Sequence, residues 1–315
     1  MDATRKSHHS VNMNRQVLTI LSLNVLKVMS VSQFTLLIIL ISFFISPQLY
    51  AAKDDQAPFY KVTWKNQQAY LLGSIHVGKA DFYPMAPQIE RAFEQSAALV
   101  LEADVSKADT TRLLQQYGYA EAALLQQAKP VTDKYCQSME QFCVAIQPFA
   151  PWLQAAQISI MRFSTLGYSA EQGVDVTFAA NRQSKPLLEL ESVAFQFELI
   201  SSFSQQSQIQ MLDEAVNATD AEMLELIGAW RNGDKKQLAN IMEQQAGDSD
   251  ELLNKLLWQR NHTMSDKMLL LMQQKAQQQL FFIIGAGHLV GQQNIPQLLR
   301  QQGAKVQDCW QQSCN

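Results

Sequence analysis

The 315-residue chain is short of charge, of histidine and of long apolar stretches. Only 17% of its residues are charged, against 47% hydrophobic, and its mean hydropathy is −0.14. Low hydrophobicity, glycine periodicity and heptads are all missing, which excludes a disordered, collagen-like or coiled-coil chain. A basic excess is missing too. The net charge is −4, and the first 51 residues hold four bases (Arg5, Lys6, Arg15, Lys27) and one acid (Asp2). The remainder carries 21 bases against 28 acids, so it has no general attraction to a phosphate backbone and nucleic acid is not an expected partner. No run reaches the roughly 20 predominantly apolar residues that span a bilayer. What is present is a chain long and apolar enough to bury a sizeable core.

Phe34 to Ile45 is a twelve-residue apolar run broken only by Thr35 and Ser42. Lys27 precedes it, and Ser46-Pro47 and Ala51-Ala52 follow. A basic flank, a short apolar core and small residues form the secretory signal pattern. Residues 1–51 are therefore expected to be a signal peptide with an extended n-region, Met13 and Met29 being alternative starts. Cleavage near Ala51 or Ala52 would deliver residues 52–315 to the periplasm or the exterior, without a stable membrane anchor. The competing expectation is an uncleaved anchor, because Val17–Val31 is also fairly apolar. No cysteine ends the apolar run, which argues against lipid attachment there.

The four cysteines fall in two close pairs, Cys136 with Cys143 and Cys309 with Cys314. Three pairings are open to sequence, and the spacing favours the two local bridges. Residues seven apart on one helix stand about 10 Å apart, so a Cys136–Cys143 bridge requires the chain between them to leave the helix. A four-cysteine zinc cluster suits the spacing less well.

The hydrophobic pattern reads as α/β. Tyr60–Trp64 and Ala69–Gly73, joined at Lys65-Asn66, predict a hairpin. Pro87–Ser96 predicts a helix leading into a buried strand over residues 97–104. Helices are expected from Asp109 to Tyr168, broken at Lys129-Pro130 and Gln147-Pro148. A short helix (Gly173–Arg182) and a strand (Pro186–Glu191) follow. Long Gln-rich helices then fill 193–279 before strands at 280–284 and 304–307 flank a last helix at 294–302. The expected fold is a single α/β domain with a central mixed β-sheet, flanking helices and a large helical insertion in the middle of the chain.

Beyond residue 51 there are only three histidines, His76, His262 and His288. Two of them lie three residues after a glycine that directly follows an apolar strand: Leu72-Gly73-Ser74-Ile75-His76 and Ile284-Gly285-Ala286-Gly287-His288. The glycines would allow a sharp turn at φ values other residues avoid and let a ligand approach the backbone closely. Ligands of open α/β sheets bind beyond the carboxyl ends of the strands, where both histidines and Glu102 would sit. Two imidazoles and a carboxylate form a three-ligand set for a divalent ion of the manganese, cobalt or zinc class. Such an ion would lower the pKa of water toward neutrality for attack on a carbonyl. The plainer alternative is that each histidine hydrogen-bonds within its turn.

Glu191, at the end of a strand, is expected in the same cleft as ligand, base or orienter. Arg260-Asn261 interrupts an apolar helical stretch, where a guanidinium would stabilise an oxyanion or else simply be solvated. Asp175 is placed to charge a helix start or to support the site from behind. His262 follows no glycine turn and is not expected to be a ligand.

These motifs together, with Leu99–Asp104, Gly173-Val174-Asp175, Leu190-Glu191-Ser192 and Gln196, resemble the TraB/PrgY/GumN family, which includes the Tiki proteases. The resemblance spans Gln67 to Val306. It implies a divalent-metal-dependent peptidase with His76, His288 and Glu102 in the metal positions and a peptide or protein as substrate. Ser192 stands where the family usually has threonine. Glu102 or Glu191 would handle the proton, with Arg260 at the oxyanion. A second class of function remains open: a binding protein for haem or a peptide, with the same histidines as axial ligands or polar contacts.

Overall fold

A computed structural model describes residues 54–246 and 250–314. The expected signal peptide, residues 1–51, lies outside the described residues. Six strands form one mixed sheet: β1 (Phe59–Trp64), β2 (Gln67–Ser74), β3 (Ala98–Leu101), β4 (Leu187–Glu189), β5 (Leu280–Gly285) and β6 (Lys305–Asp308). Their order is β4-β3-β5-β2-β1-β6. The four strands β4, β3, β5 and β2 run parallel; β1 pairs antiparallel with both β2 and β6. The β1–β2 hairpin turns on Lys65 and Asn66 at φ 46° and 64°, the twist that two-residue hairpin loops require.

Alternation along the strands builds two cores. Phe59, Leu72, Leu99, Leu101, Phe281 and Ile283 point to one face, where they meet Ile89 and Phe93, Phe178, and Trp230 from three helices. Val62, Leu71, Val100, Phe282 and Ile284 point to the other, against Met264, Met268 and Met272 of helix Gln259–Gln274 and Ile295 and Leu299 of helix Ile295–Gln301. Covered on both faces, β5 has to be apolar at nearly every position, and so it is. Each large side chain so buried contributes about 1.5–3 kcal/mol.

Helices Thr110–Tyr117, Ala122–Cys136, Glu140–Ile146 and Pro151–Thr165 lie between β3 and β4 in the chain. Ala128, Ile146, Ala155 and Ile158 pack with Leu212 and Ala215 in a separate core without sheet residues, which is the helical insertion. Together these parts make a single α/β domain. The break expected at Lys129-Pro130 does not occur: helix Ala122–Cys136 runs through Pro130. Pro130 and Gln126, whose carbonyl loses its partner there, are both on the exposed face. Cys136–Cys143 and Cys309–Cys314 are both disulfides, and the first is spanned by the turn between two helices. No helix among the described residues is long and apolar enough to cross a membrane.

Candidate active site

The register of the parallel strands assembles the site. Ser74 of β2 lies beside Gly285 of β5, and Leu101 of β3 lies beside Ile283. The two glycine turns therefore leave the sheet side by side, and Glu102 emerges next to the second. Trp230 Nε1 donates to the Gly73 carbonyl at 2.8 Å and pins the first turn.

Glu102 sits at the centre. Its Oε1 accepts from the Gly285 N–H at 2.6 Å, and its Oε2 accepts from Arg260 Nη2 at 2.7 Å and Gln196 Nε2 at 3.4 Å. Arg260 is shared with buried Glu191: Nε and Nη2 donate to that carboxylate at 2.8–3.2 Å. Gln196 Nε2 also reaches Glu191, at 3.1 Å. Burial pushes the Glu102 carboxyl up, but its electrostatic interactions with the neighbouring His288, Arg260 and His76 and the Gly285 N–H outweigh that and lower it. Burial likewise opposes the charge on Arg260, and the two carboxylates more than restore it, so its pKa is raised.

Arg260 reaches this position through a local irregularity. The helical run from Asp250 to Gln274 contains a π-turn at Asn254–Trp258, where the Gln259 N–H reaches back to the Asn254 carbonyl. Arg260 Nη1 donates to the Leu256 carbonyl within that turn at 3.0 Å. Its remaining donors are engaged by the two carboxylates, so among the described residues one Nη1 hydrogen is left for another acceptor.

The histidines differ. His288 is buried, and its Nδ1 lies 2.6 Å from Asn261 Oδ1. Asn261 Nδ2 donates to the Gln293 carbonyl at 2.9 Å, which fixes the amide so that His288 Nδ1 carries the proton. Nε2 keeps its lone pair and faces Glu102 Oε1 at 3.8 Å. Burial first, helped by Arg260 and His76, lowers the His288 pKa to about 4 against the pull of Glu102, so the ring is neutral. His76 Nδ1 lies 3.3 Å from Asp175 Oδ1, and that hydrogen bond raises its pKa to about 9. Its side chain is 71% exposed, so water screens the pair and little stability rests on it. Ligation through His76 would be coupled to loss of a proton.

Other predicted residues fall around this centre. Asp175 opens helix Val174–Ala180, and Gly173 brings that helix in: a Cβ there would stand 2.7 Å from the His76 carbonyl. Gly285 works the same way, since its φ is −48° and a Cβ would lie 3.0 Å from Glu102 Oε1. None of Gly73, Gly285 and Gly287 has a positive φ, so the expected turn conformation does not apply; what comes close to these glycines is the fold's own atoms. Gly287 lies against Met242. His262 is exposed, 3.3 Å from Gln293 Oε1 and outside the cluster. Ser192 caps the helix Val193–Ser201. Sequence reasoning gave no role to Gln196, Gln293 or Trp230; only Gln196 lay within a quoted motif.

The donor types suit a divalent cation: two imidazoles, and two carboxylates set against one guanidinium, which leaves one formal negative charge to be balanced. Among the described residues, no three His, Cys, Asp or Glu side chains stand at the spacing of a formed metal site.

The model of the TraB/PrgY/gumN family matches residues 58–308. The chain belongs to this family. Relatives of the family member include the uncharacterized protein YbaP of Escherichia coli (strain K12) and that of Shigella flexneri, each 28% identical over 246 residues, covering 75% of this chain and 89% of theirs. A metalloprotease TIKI homolog of Amphimedon queenslandica is 31% identical over 74 residues, 22% of this chain and 14% of that one. No solved structure matches.

Proposed function

We propose that this TraB/PrgY/gumN protein is an exported divalent-metal-dependent hydrolase, and within that class a peptidase. One observation carries the reading: His288 is neutral, its tautomer is fixed by Asn261, and its Nε2 lone pair faces Glu102 at 3.8 Å. A histidine with only a packing role needs neither the orienting amide nor the carboxylate on its far side. Short similarity to a metalloprotease TIKI homolog supports the same class. Two disulfides fit an oxidising compartment outside the cytoplasm.

His76, His288 and Glu102 would hold the ion, which when bound supplies acidity to water and polarises a carbonyl. The chain's own groups do the rest. Asn261 and Asp175 orient the two imidazoles. The Gly285 N–H and Arg260 fix Glu102 as a carboxylate. Glu102 or Glu191, the two carboxylates that share Arg260 and Gln196, would take the proton from water and return it to the leaving amine. The free Nη1 hydrogen of Arg260 is the donor left for a developing oxyanion.

The test is metal analysis of protein purified without a histidine tag, followed by hydrolysis of an unstructured peptide with manganese, cobalt or zinc. Stoichiometric metal and cleavage that vanishes in His288→Ala are expected. A protein that takes no ion and instead shows a Soret band on haemin titration would overturn the reading in favour of haem binding.

A further inference from the structure

The two outer strands of the sheet are finished differently. On β6 the backbone of Val306 is turned away from β1, and Arg300 Nη2 donates to its carbonyl at 3.1 Å. On β4, Leu99 N–H donates to Pro186 and Leu190 N–H donates to Leu101, so residues 186, 188 and 190 turn their backbone toward β3. Leu187 and Glu189 therefore direct N–H and C=O away from the sheet. Among the described residues no hydrogen bond reaches those groups, and all three strand residues are partly exposed. Backbone groups of a strand edge left in this state form a template for another strand.

We propose that the outer edge of β4 binds an extended stretch of polypeptide as an added strand and delivers it to Glu102, Glu191 and His288. The inference rests on the peptidase reading and names how its substrate is held. Continuity with the site selects this occupant. Beyond Glu189 the chain keeps its pairing with β3, through Leu190 N–H to Leu101 at 2.9 Å and Glu191 N–H to Glu102 at 2.7 Å. A strand laid along β4 is thus led to the two carboxylates. Apolar side chains wait at the same end. Val105, 64% exposed, follows Asp104, whose N–H donates to Glu189 Oε2 at 3.0 Å. Phe195, 41% exposed, precedes Gln196, which holds both carboxylates. Val105 and Phe195 are exposed apolar side chains that adjoin, in sequence, residues bonded to Glu189 and to the two carboxylates, and they are available to substrate side chains. The chemistry recognised is an unfolded peptide: backbone groups for affinity, and apolar side chains near the bond to be cut. β4 is short and preceded by Pro186, which limits it to a short partner rather than open-ended pairing between copies.

The experiment uses the full exported chain loaded with manganese and a fluorescent peptide of about twelve Ala, Val and Ser residues, long enough to cover β4 and the site. A single backbone N-methyl group is moved along the peptide; binding is read by anisotropy and cleavage by chromatography. Alternation is expected: about tenfold weaker binding at two positions two residues apart, and less than about twofold at the position between them. Phe195→Ser should weaken binding about fivefold and leave the alternation in place. Equal loss at every position, or no loss, overturns the proposal. Alternation without cleavage upholds the edge and removes the peptidase reading. Cleavage without alternation does the reverse. Neither binding nor cleavage removes both.

Discussion

Two turns of the same pattern, an apolar strand followed by Gly-x-x-His, end neighbouring strands of one sheet and put their histidines in opposite settings. His76 faces water and is held by a carboxylate that raises its pKa to about 9. His288 is 6% exposed, is held by an amide, and has its pKa lowered to about 4. The glycine turn fixes where an imidazole stands; burial then keeps His288 neutral, while the Asp175 carboxylate on Nδ1 favours charge on His76. A neutral, oriented Nε2 is a ready ligand; a charged one must first give up a proton. In this reading His288 is the preformed half of the site and His76 the half completed by binding.

The comparison can be broken most severely by mutation of the two histidines. If they serve one ion, His76→Ala and His288→Ala should each cut metal-dependent hydrolysis by at least about a hundredfold, and the double variant should be hardly worse. Metal content measured alongside activity decides it: both variants keeping their metal would remove the shared site. The paired glycines come next. Gly285→Ala presses on Glu102 and should lower metal affinity about 10–100-fold with little change in melting. Gly73→Ala instead meets Pro58 and Leu289 at 3.1 and 3.2 Å, and should cost about 1–3 kcal/mol of stability in urea titration. A smaller contrast lies in the stability of the histidine variants themselves. His288→Ala strands the Asn261 carbonyl oxygen and should cost about 1–3 kcal/mol, whereas exposed His76→Ala should stay within about 0.5 kcal/mol.

How much of this was legible beforehand follows from what sequence can carry. Apolar runs bounded by turn residues located the strands, because β2 and β5 are buried on both faces and have little choice of residue. The histidines and carboxylates of the candidate site were visible as residue types at strand ends. Their settings were not. Arg260 is 158 residues from Glu102 and 69 from Glu191, and no local pattern announces that it binds both. The hydrogen-bond partners that orient His288 and His76, Asn261 and Asp175, arrive from helices elsewhere in the chain. Of the two reasons expected for the glycines, the φ freedom does not apply, and which atoms come close to them is set by contacts across the fold that no local pattern carries. Pro130 misled because a proline on a solvated helix face costs less than the pattern assumes.

The finest sharpening is a titration of the metal-free protein, following both imidazoles by NMR. His76 should stay protonated through neutrality up to about pH 9, and His288 should stay neutral down to about pH 4. The signs for stability are opposite. The raised pKa of His76 gives a contribution complete below pH 6.5 and lost as pH rises through 9, small because the ring is exposed. The lowered pKa of His288 gives one complete above pH 6.5 and lost as pH falls toward 4. Asp175→Asn should bring His76 back toward its ordinary range and leave His288 where it is. Movement of both together would mean the two rings do not have separate environments.

The π-turn at Asn254–Trp258 carries a consequence for mutational tolerance. Leu252, upstream of it, packs with Phe203, while Met264, Met268 and Met272, downstream, pack on the sheet. One residue of a helix corresponds to about 100° of rotation, so the extra residue in the turn is what lets both ends face inward at once. Removing a single codon there would restore a regular helix and leave every side chain of the site in the sequence. It would also swing Arg260, Asn261 and the methionines together away from their partners, or else turn Leu252 away from Phe203. Substitutions in the turn should be borne easily and one-residue deletions not at all, so selection at this place acts on the length of the chain more than on its spelling.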